Sequence, residues 1–263
     1  MHQYRGALVV LAGVLAGLGL ALAAAFAGAV ENEPKAKVAF VGDSLSDGYW
    51  EGVTVVAGRD ACLRTHLELG RFAKNSTGLT RPDKLDWATE IKRVGDSFKP
   101  NLFVMSVGLN DRQSVVEHGQ ITMDNTPPYD DKYKERITAV LKNAAATKAS
   151  LLWVGLPAMR AAVTDKDTRD KNRLYAEAIT AFGAPNLQYV EPWKLNGTDS
   201  FASFGPDQNG RMVQIRTPDG EHFTVAGEVL TAVYLLPRIL AILAANGSAP
   251  CAPTGGQAQD QAQ

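Results

Sequence analysis

The sequence predicts an α/β fold, a three-layer α/β/α sandwich around a five-stranded parallel sheet. Two observations carry that prediction. Between Lys37 and Asn246, short β-rich apolar runs alternate with longer stretches of helical periodicity. No internal repeat interrupts the alternation, and at 263 residues, 45% hydrophobic and 21% charged, the chain suits one domain with a sizeable core.

Taken in order, Val38–Val41 is the first strand, Phe72–Lys74 a weak second and Leu102–Val107 a strong third. Leu151–Gly155 is the fourth and Gln188–Val190 the fifth. Between them, Trp87, Ile91, Val94 and Phe98 fall on one face of a helix that must end before Pro100. Tyr133, Ile137, Val140 and Leu141 mark the next helix; Leu174, Ala178, Ile179 and Phe182 mark another, stopped by Gly183 and Pro185. Val225–Leu243 is the last, with a kink or break expected near Tyr234 because Pro237 lies inside it. Residues 112–131, polar and containing Pro127-Pro128, read as a loop over the site that carries specificity.

Outside the domain, assigned to 35–246, the two ends differ in kind. Residues 7–30 are uncharged and follow Arg5, and Ala25-Phe26-Ala27 and Ala27-Gly28-Ala29 have the small-x-small form of a signal-peptidase site. Residues 1–30 are therefore a signal peptide or an N-terminal membrane anchor, and either places the domain in the periplasm or outside the cell. Such a compartment allows the two cysteines, Cys62 and Cys251, to form one disulfide; two unpaired thiols are the other reading. Residues 247–263 have nothing to bury and read as a disordered tail.

Charge excludes one class of partner. The 27 basic and 28 acidic residues nearly cancel, without a Lys/Arg run to meet phosphates, so no nucleic-acid partner is expected. His2, His66 and His118 share no ligand spacing with one another or with the cysteines, so neither metal nor cofactor is expected.

In open parallel sheets the chemistry collects at the carboxyl ends of the strands. After the first strand stands Gly42-Asp43-Ser44-Leu45-Ser46-Asp47-Gly48, a serine at a strand-to-helix turn where helix N–H groups can face an oxyanion. A Ser/Asp helix cap would look the same in isolation. After the second comes Asn75-Ser76-Thr77-Gly78, and after the third Gly108-Leu109-Asn110-Asp111, whose amide can donate to an oxyanion. Before the last helix, Asp219-Gly220-Glu221-His222-Phe223-Thr224 sets a carboxylate three residues from an imidazole, a spacing that lets the Asp fix the His tautomer.

In this order the four pieces resemble the blocks of the SGNH/GDSL hydrolase superfamily, over most of the chain after the apolar segment. The Gly-Asp-Ser-Leu-Ser-Asp-Gly and Asp-Gly-x-His-Phe-Thr stretches are the strongest matches, Gly-x-Asn-Asp is good, and the Gly78 block departs most from the usual form. The resemblance implies a flavodoxin-like SGNH fold and a serine-hydrolase mechanism. Ser44 would be the nucleophile, with its own N–H in an oxyanion hole completed by Gly78 and Asn110; Asp219 would orient His222, the general base. Ser76–Asp83 and the Arg112-Gln113 pair are similar to an envelope-associated bacterial subgroup of unknown function.

Substrate contacts are expected from Asp43 and Arg112, with Arg81 and Arg216 as further cations that are otherwise solvated surface charge. Tyr49 and Trp50 either line an acyl pocket or pack the first helix. The implied activity is an esterase removing small acyl groups, O-acetyl above all, from a cell-envelope or extracellular glycan. A transferase passing the same acyl group to an envelope glycan is the enzymatic alternative, and a non-catalytic envelope binding protein the alternative of another class. The expected partners are an acylated glycan or small ester, with possible membrane attachment through residues 7–30.

Overall fold

The computed structural model describes residues 35–117, 120–191 and 200–251. The expected signal or anchor, and the last twelve residues of the expected tail, lie outside them.

Five parallel strands form the central sheet: β1 (Ala36–Gly42), β2 (Leu67–Arg71), β3 (Leu102–Ser106), β6 (Ser150–Val154) and β7 (Leu187–Val190). Their order is β2-β1-β3-β6-β7. The chain therefore reverses its direction of winding between β1 and β3, and the crevice beyond their carboxyl ends is where such sheets bind ligands. β1, β3 and β6 are almost wholly buried, which is why their sequences read as continuous apolar runs rather than alternating ones.

Helices cover both faces. On one, α1 (Ser44–Ala57) packs along α6 (Val225–Ala245). On the other, α3 (Trp87–Phe98), α4 (Pro127–Ala146) and α5 (Ala162–Phe182) lie side by side. α3 illustrates the local logic: Asp86 caps its first turn, Trp87, Ile91 and Val94 are buried, and Lys99 ends it in the left-handed conformation just before Pro100. Each of those apolar side chains contributes on the order of 1.5–3 kcal/mol.

Four expectations change. The second strand is Leu67–Arg71, delivered by the short helix α2 (Ala61–His66), not Phe72–Lys74. Its hydrogen bonding to β1 runs on past it, Phe72 N donating to Phe40 O and Lys74 N to Gly42 O. The 112–131 segment contains a hairpin, β4 (Val115–Glu117) with β5 (Gln120–Thr122), and Pro127-Pro128 open α4 rather than sit in a loop. α6 is not broken near Tyr234. Val233 and Pro237 both face solvent, so the carbonyl that loses its donor to the proline meets water, while Leu235, Leu236, Ile239, Ile242 and Leu243 stay buried. This helix is long and apolar enough to span a membrane, yet here it packs within the domain. Lastly, the start of the expected tail is held. Cys251 is bonded to Cys62 with a Cα–Cα distance of 6.1 Å, and Ser248 accepts from Asn101 Nδ2 at 2.9 Å.

A second hairpin, β8 (Phe204–Pro206) with β9 (Met212–Gln214), leads into the loop before α6.

Candidate active site

β1 ends at Gly42, whose φ of +128° and close approach to the Ser106 carbonyl exclude a side chain; a Cβ there would lie 1.8 Å from that oxygen. The tight packing sets the start of α1 against the end of β3. Asp43 is the N-cap and is fully buried: its carboxylate accepts from Leu45 N at 3.0 Å, Gly108 N at 2.9 Å and Leu109 N at 3.1 Å. Burial pushes its carboxyl up to about 7, against the pull of those three N–H donors. Asp43 therefore stitches the serine turn to the β3 loop, and burial removes it from substrate, contrary to the expected contact.

Ser44 follows as the first residue of α1, partly exposed at the positive end of the helix dipole. His222 Nε2 lies 2.8 Å from Ser44 Oγ, and its Nδ1 lies 2.8 Å from Asp219 Oδ2. With Asp219 ionised, Nδ1–H donates to the carboxylate and Nε2 is left to accept the serine proton. Asp219 is partly desolvated, which works upward, but hydrogen bonds from Thr217 Oγ1, Glu221 N, and the His222 ring and backbone N–H hold its carboxyl well below the usual range. It stays an anion throughout the neutral range.

Three N–H groups lie in the segments that follow β1, β2 and β3. Ser44 N and Gly78 N have no hydrogen-bond partner among the described residues. Asn110 Nδ2 donates one of its two hydrogens to Thr77 O at 2.9 Å, which leaves the other for a ligand. Beneath them lies a second buried carboxylate that sequence reasoning left without a role. Asp111 accepts from Leu79 N (2.7 Å), Thr80 N (3.0 Å), Thr80 Oγ1 (2.7 Å) and Tyr133 Oη (2.9 Å), tying the Gly78 segment to the β3 loop. Tyr175 continues the network: its Oη lies 2.9 Å from Tyr133 Oη and 2.7 Å from Val107 O, and its single proton serves one of the two.

The histidine loop has its own scaffold in Arg216, which is buried rather than solvated. Its guanidinium donates to Ala158 O at 2.8 Å and Glu221 O at 2.9 Å, and lies 4.6 Å from the Phe223 ring centroid. Desolvation lowers its pKa to about 10, so it remains a cation. The sequence placed it near the Asp219–His222 block as a substrate-facing cation or solvated surface charge, not as a buried scaffold. Tyr49 is buried beside Phe223, and Trp50 packs under Arg71 while donating to Leu69 O, so both serve the helix. Arg81 pairs with Asp83 at the surface.

Arg112 stands at the open site. It donates to Thr164 Oγ1 at 2.5 Å and Glu221 Oε1 at 3.1 Å, bridging the β3 loop, α5 and the histidine loop. With Asn110, Gln113, Asp124 and Glu221 it lines a cavity of about 770 Å³, within the size range of small-molecule sites.

The fold is that of the SGNH/GDSL hydrolases, and a Ser-His-Asp constellation stands at its switch point. The chain belongs to the family described as protein of unknown function (DUF459), whose model matches residues 37–238. No curated protein matches the sequence. Among solved structures it is similar to TesA, at 15% identity and a TM-score of 0.51 over 79% of this chain and 99% of that one. A carbohydrate esterase family 3 protein from Talaromyces cellulolyticus matches at 13% identity and 0.55, over 80% and 98%. A catalytic mutant of Axe2, an acetylxylan esterase from Geobacillus stearothermophilus, matches at 14% and 0.55, over 80% and 96%.

Proposed function

We propose that this protein is a serine esterase that removes small acyl groups, O-acetyl above all, from a cell-envelope or extracellular glycan. The observation that carries the reading is the unbroken relay Ser44–His222–Asp219, with 2.8 Å at each link. His222 takes the Ser44 proton as the serine oxygen attacks the ester carbonyl; the N–H groups of Ser44, Gly78 and Asn110 stabilise the oxyanion. The alcohol leaves with a proton from His222, and water, activated by the same imidazole, releases the acid from the acyl-serine.

The substrate class is supported by the cavity beside Asn110. Its lining sets Arg112, Gln113, Asp124, Asn125 and Glu221 beside Leu109 and Val163, polar groups for sugar hydroxyls next to apolar surface for a ring face. Two structural neighbours are a carbohydrate esterase family 3 protein and an acetylxylan esterase, which agrees with this reading. An export segment at 1–30 would put the protein where such a glycan is found.

An acyl-chain series tests the reading. Turnover of 4-nitrophenyl acetate is expected to exceed that of the octanoate by at least tenfold, with acetate released from an O-acetylated oligosaccharide. Preference for the long chain, or no acetate from any acetylated glycan while small esters turn over, would contradict it.

A further inference from the structure

The cavity walled by Asn110 and Glu221, the latter next in the chain to His222, does not end there. A second cavity of about 170 Å³ runs between the first turn of α4 and the outer face of α5, and the two share Asp124, Asn125, Lys166 and Asp167 in their walls. Together they form a trench leading away from Asn110 that the chemistry at the serine does not use.

Its cations are already matched, while Asp124, in both walls, has no cation partner among the described residues. Arg112 pairs with Glu221, Lys166 with Asp170, Lys171 with Asp167 and Arg173 with Asp130. Every cation in the two walls thus has a carboxylate partner, and an anionic ligand would have to break a pair to gain one. What the trench offers instead is hydrogen-bonding capacity without a free cation for an anionic ligand. Asn125, exposed and held at a left-handed φ of 57°, presents a side-chain amide with no partner among the described residues, able both to donate and to accept. Asp167, 8% exposed, is held by its ion pair with Lys171 and forms a buried floor to the trench. Val163, 76% exposed in the wall of the larger cavity, adds an apolar surface of the kind that the C–H face of a pyranose ring covers.

Hydroxyls that donate and accept, on rings with one apolar face, are the chemistry of an uncharged oligosaccharide. We propose that the trench between α4 and α5 is a binding site for the neutral glycan chain beyond the acylated sugar, so that the protein acts on acyl groups within an oligosaccharide and discriminates against a free acylated monosaccharide. This deepens the esterase reading and rests on it for the reaction, but not for the binding.

The test separates the two. Ser44→Ala protein is titrated calorimetrically with unacylated xylo- and chito-oligosaccharides of one, three and five sugars. Affinity is expected to rise at least tenfold from one sugar to five in at least one series. On that background Asn125→Gly, which keeps the left-handed backbone and removes the amide, should lower pentasaccharide affinity at least fivefold. Val163→Glu, at an exposed position, should do the same, and thermal melting of each variant confirms that the fold is retained. Affinity independent of length in both series, or unchanged by both folded variants, would overturn the proposal. Length-dependent binding by a protein whose Ser44 form hydrolyses no ester would keep the trench and discard the esterase.

Discussion

The Asp111 carboxylate lies directly under Gly78, so that a Cβ on that glycine would sit 1.9 Å from Asp111 Oδ1. The glycine is thus required by what is beneath it, and the carboxylate holds the same segment through Leu79 N and Thr80 N. Gly78→Ala should lower both melting temperature and kcat, because either the segment or Asp111 must move. Asp111→Ala should cost more stability, at about 1–3 kcal/mol for each buried donor left unpaired. Thermal melts and 4-nitrophenyl acetate kinetics check both; wild-type behaviour of Gly78→Ala would contradict the packing.

Asn110→Ala removes the proposed oxyanion donor and the bond to Thr77 O together. A loss of roughly 10²–10³ in kcat is expected, with KM changing much less. A fall under tenfold would remove Asn110 from its role.

Much of this site was legible in the sequence because its parts are short blocks at strand ends, where loop chemistry is not masked by core packing. Ser44, Asn110, Asp219 and His222 carry their residue types openly. Asp111 was visible beside Asn110, but its function depends on Leu79, Thr80 and Tyr133 meeting it from distant segments. Arg216 was harder still: an arginine in a loop looks solvated until Phe223 and the Ala158 carbonyl close over it. The displaced second strand has a similar origin, since Leu67 and Leu69 follow a helix without any breaker to announce the change of period.

Glu228, in the first turn of α6, supplies a pH dependence. Its side chain packs against Gly48 of α1, Oε2 has no hydrogen-bond partner, and Asp47, Glu51 and His222 face it, with Arg71 engaged by Asp47. Burial, then the neighbouring carboxylates, push it from the ordinary 4.5 up to about 7, against the opposing pull of His222. A raised folded-state value contributes stability that is fully present below the unfolded pKa and lost as pH rises through the folded one. Glu228→Gln should therefore flatten the decline in melting temperature between about pH 5 and 8; Asp43, raised in the same direction, leaves a residual slope. An unchanged profile in the variant would assign the decline elsewhere.

The Cys62–Cys251 bridge closes a loop across a sequence separation of 189. Reduction, or the Cys62→Ser/Cys251→Ser pair, should cost about 2–5 kcal/mol, read as a lower denaturant midpoint. Activity of the folded fraction is expected to persist, because the bridge involves none of the triad segments. Equal midpoints with and without reductant would show that the bridge adds no stability.

The central claim is that Ser44 is an activated nucleophile. A fluorophosphonate probe should add its phosphonyl mass to one peptide, that containing Ser44, and abolish 4-nitrophenyl acetate turnover; Ser44→Ala should be neither labelled nor active. Turnover that survives in Ser44→Ala, or an active wild-type protein that the probe leaves unmodified at Ser44, would contradict the account.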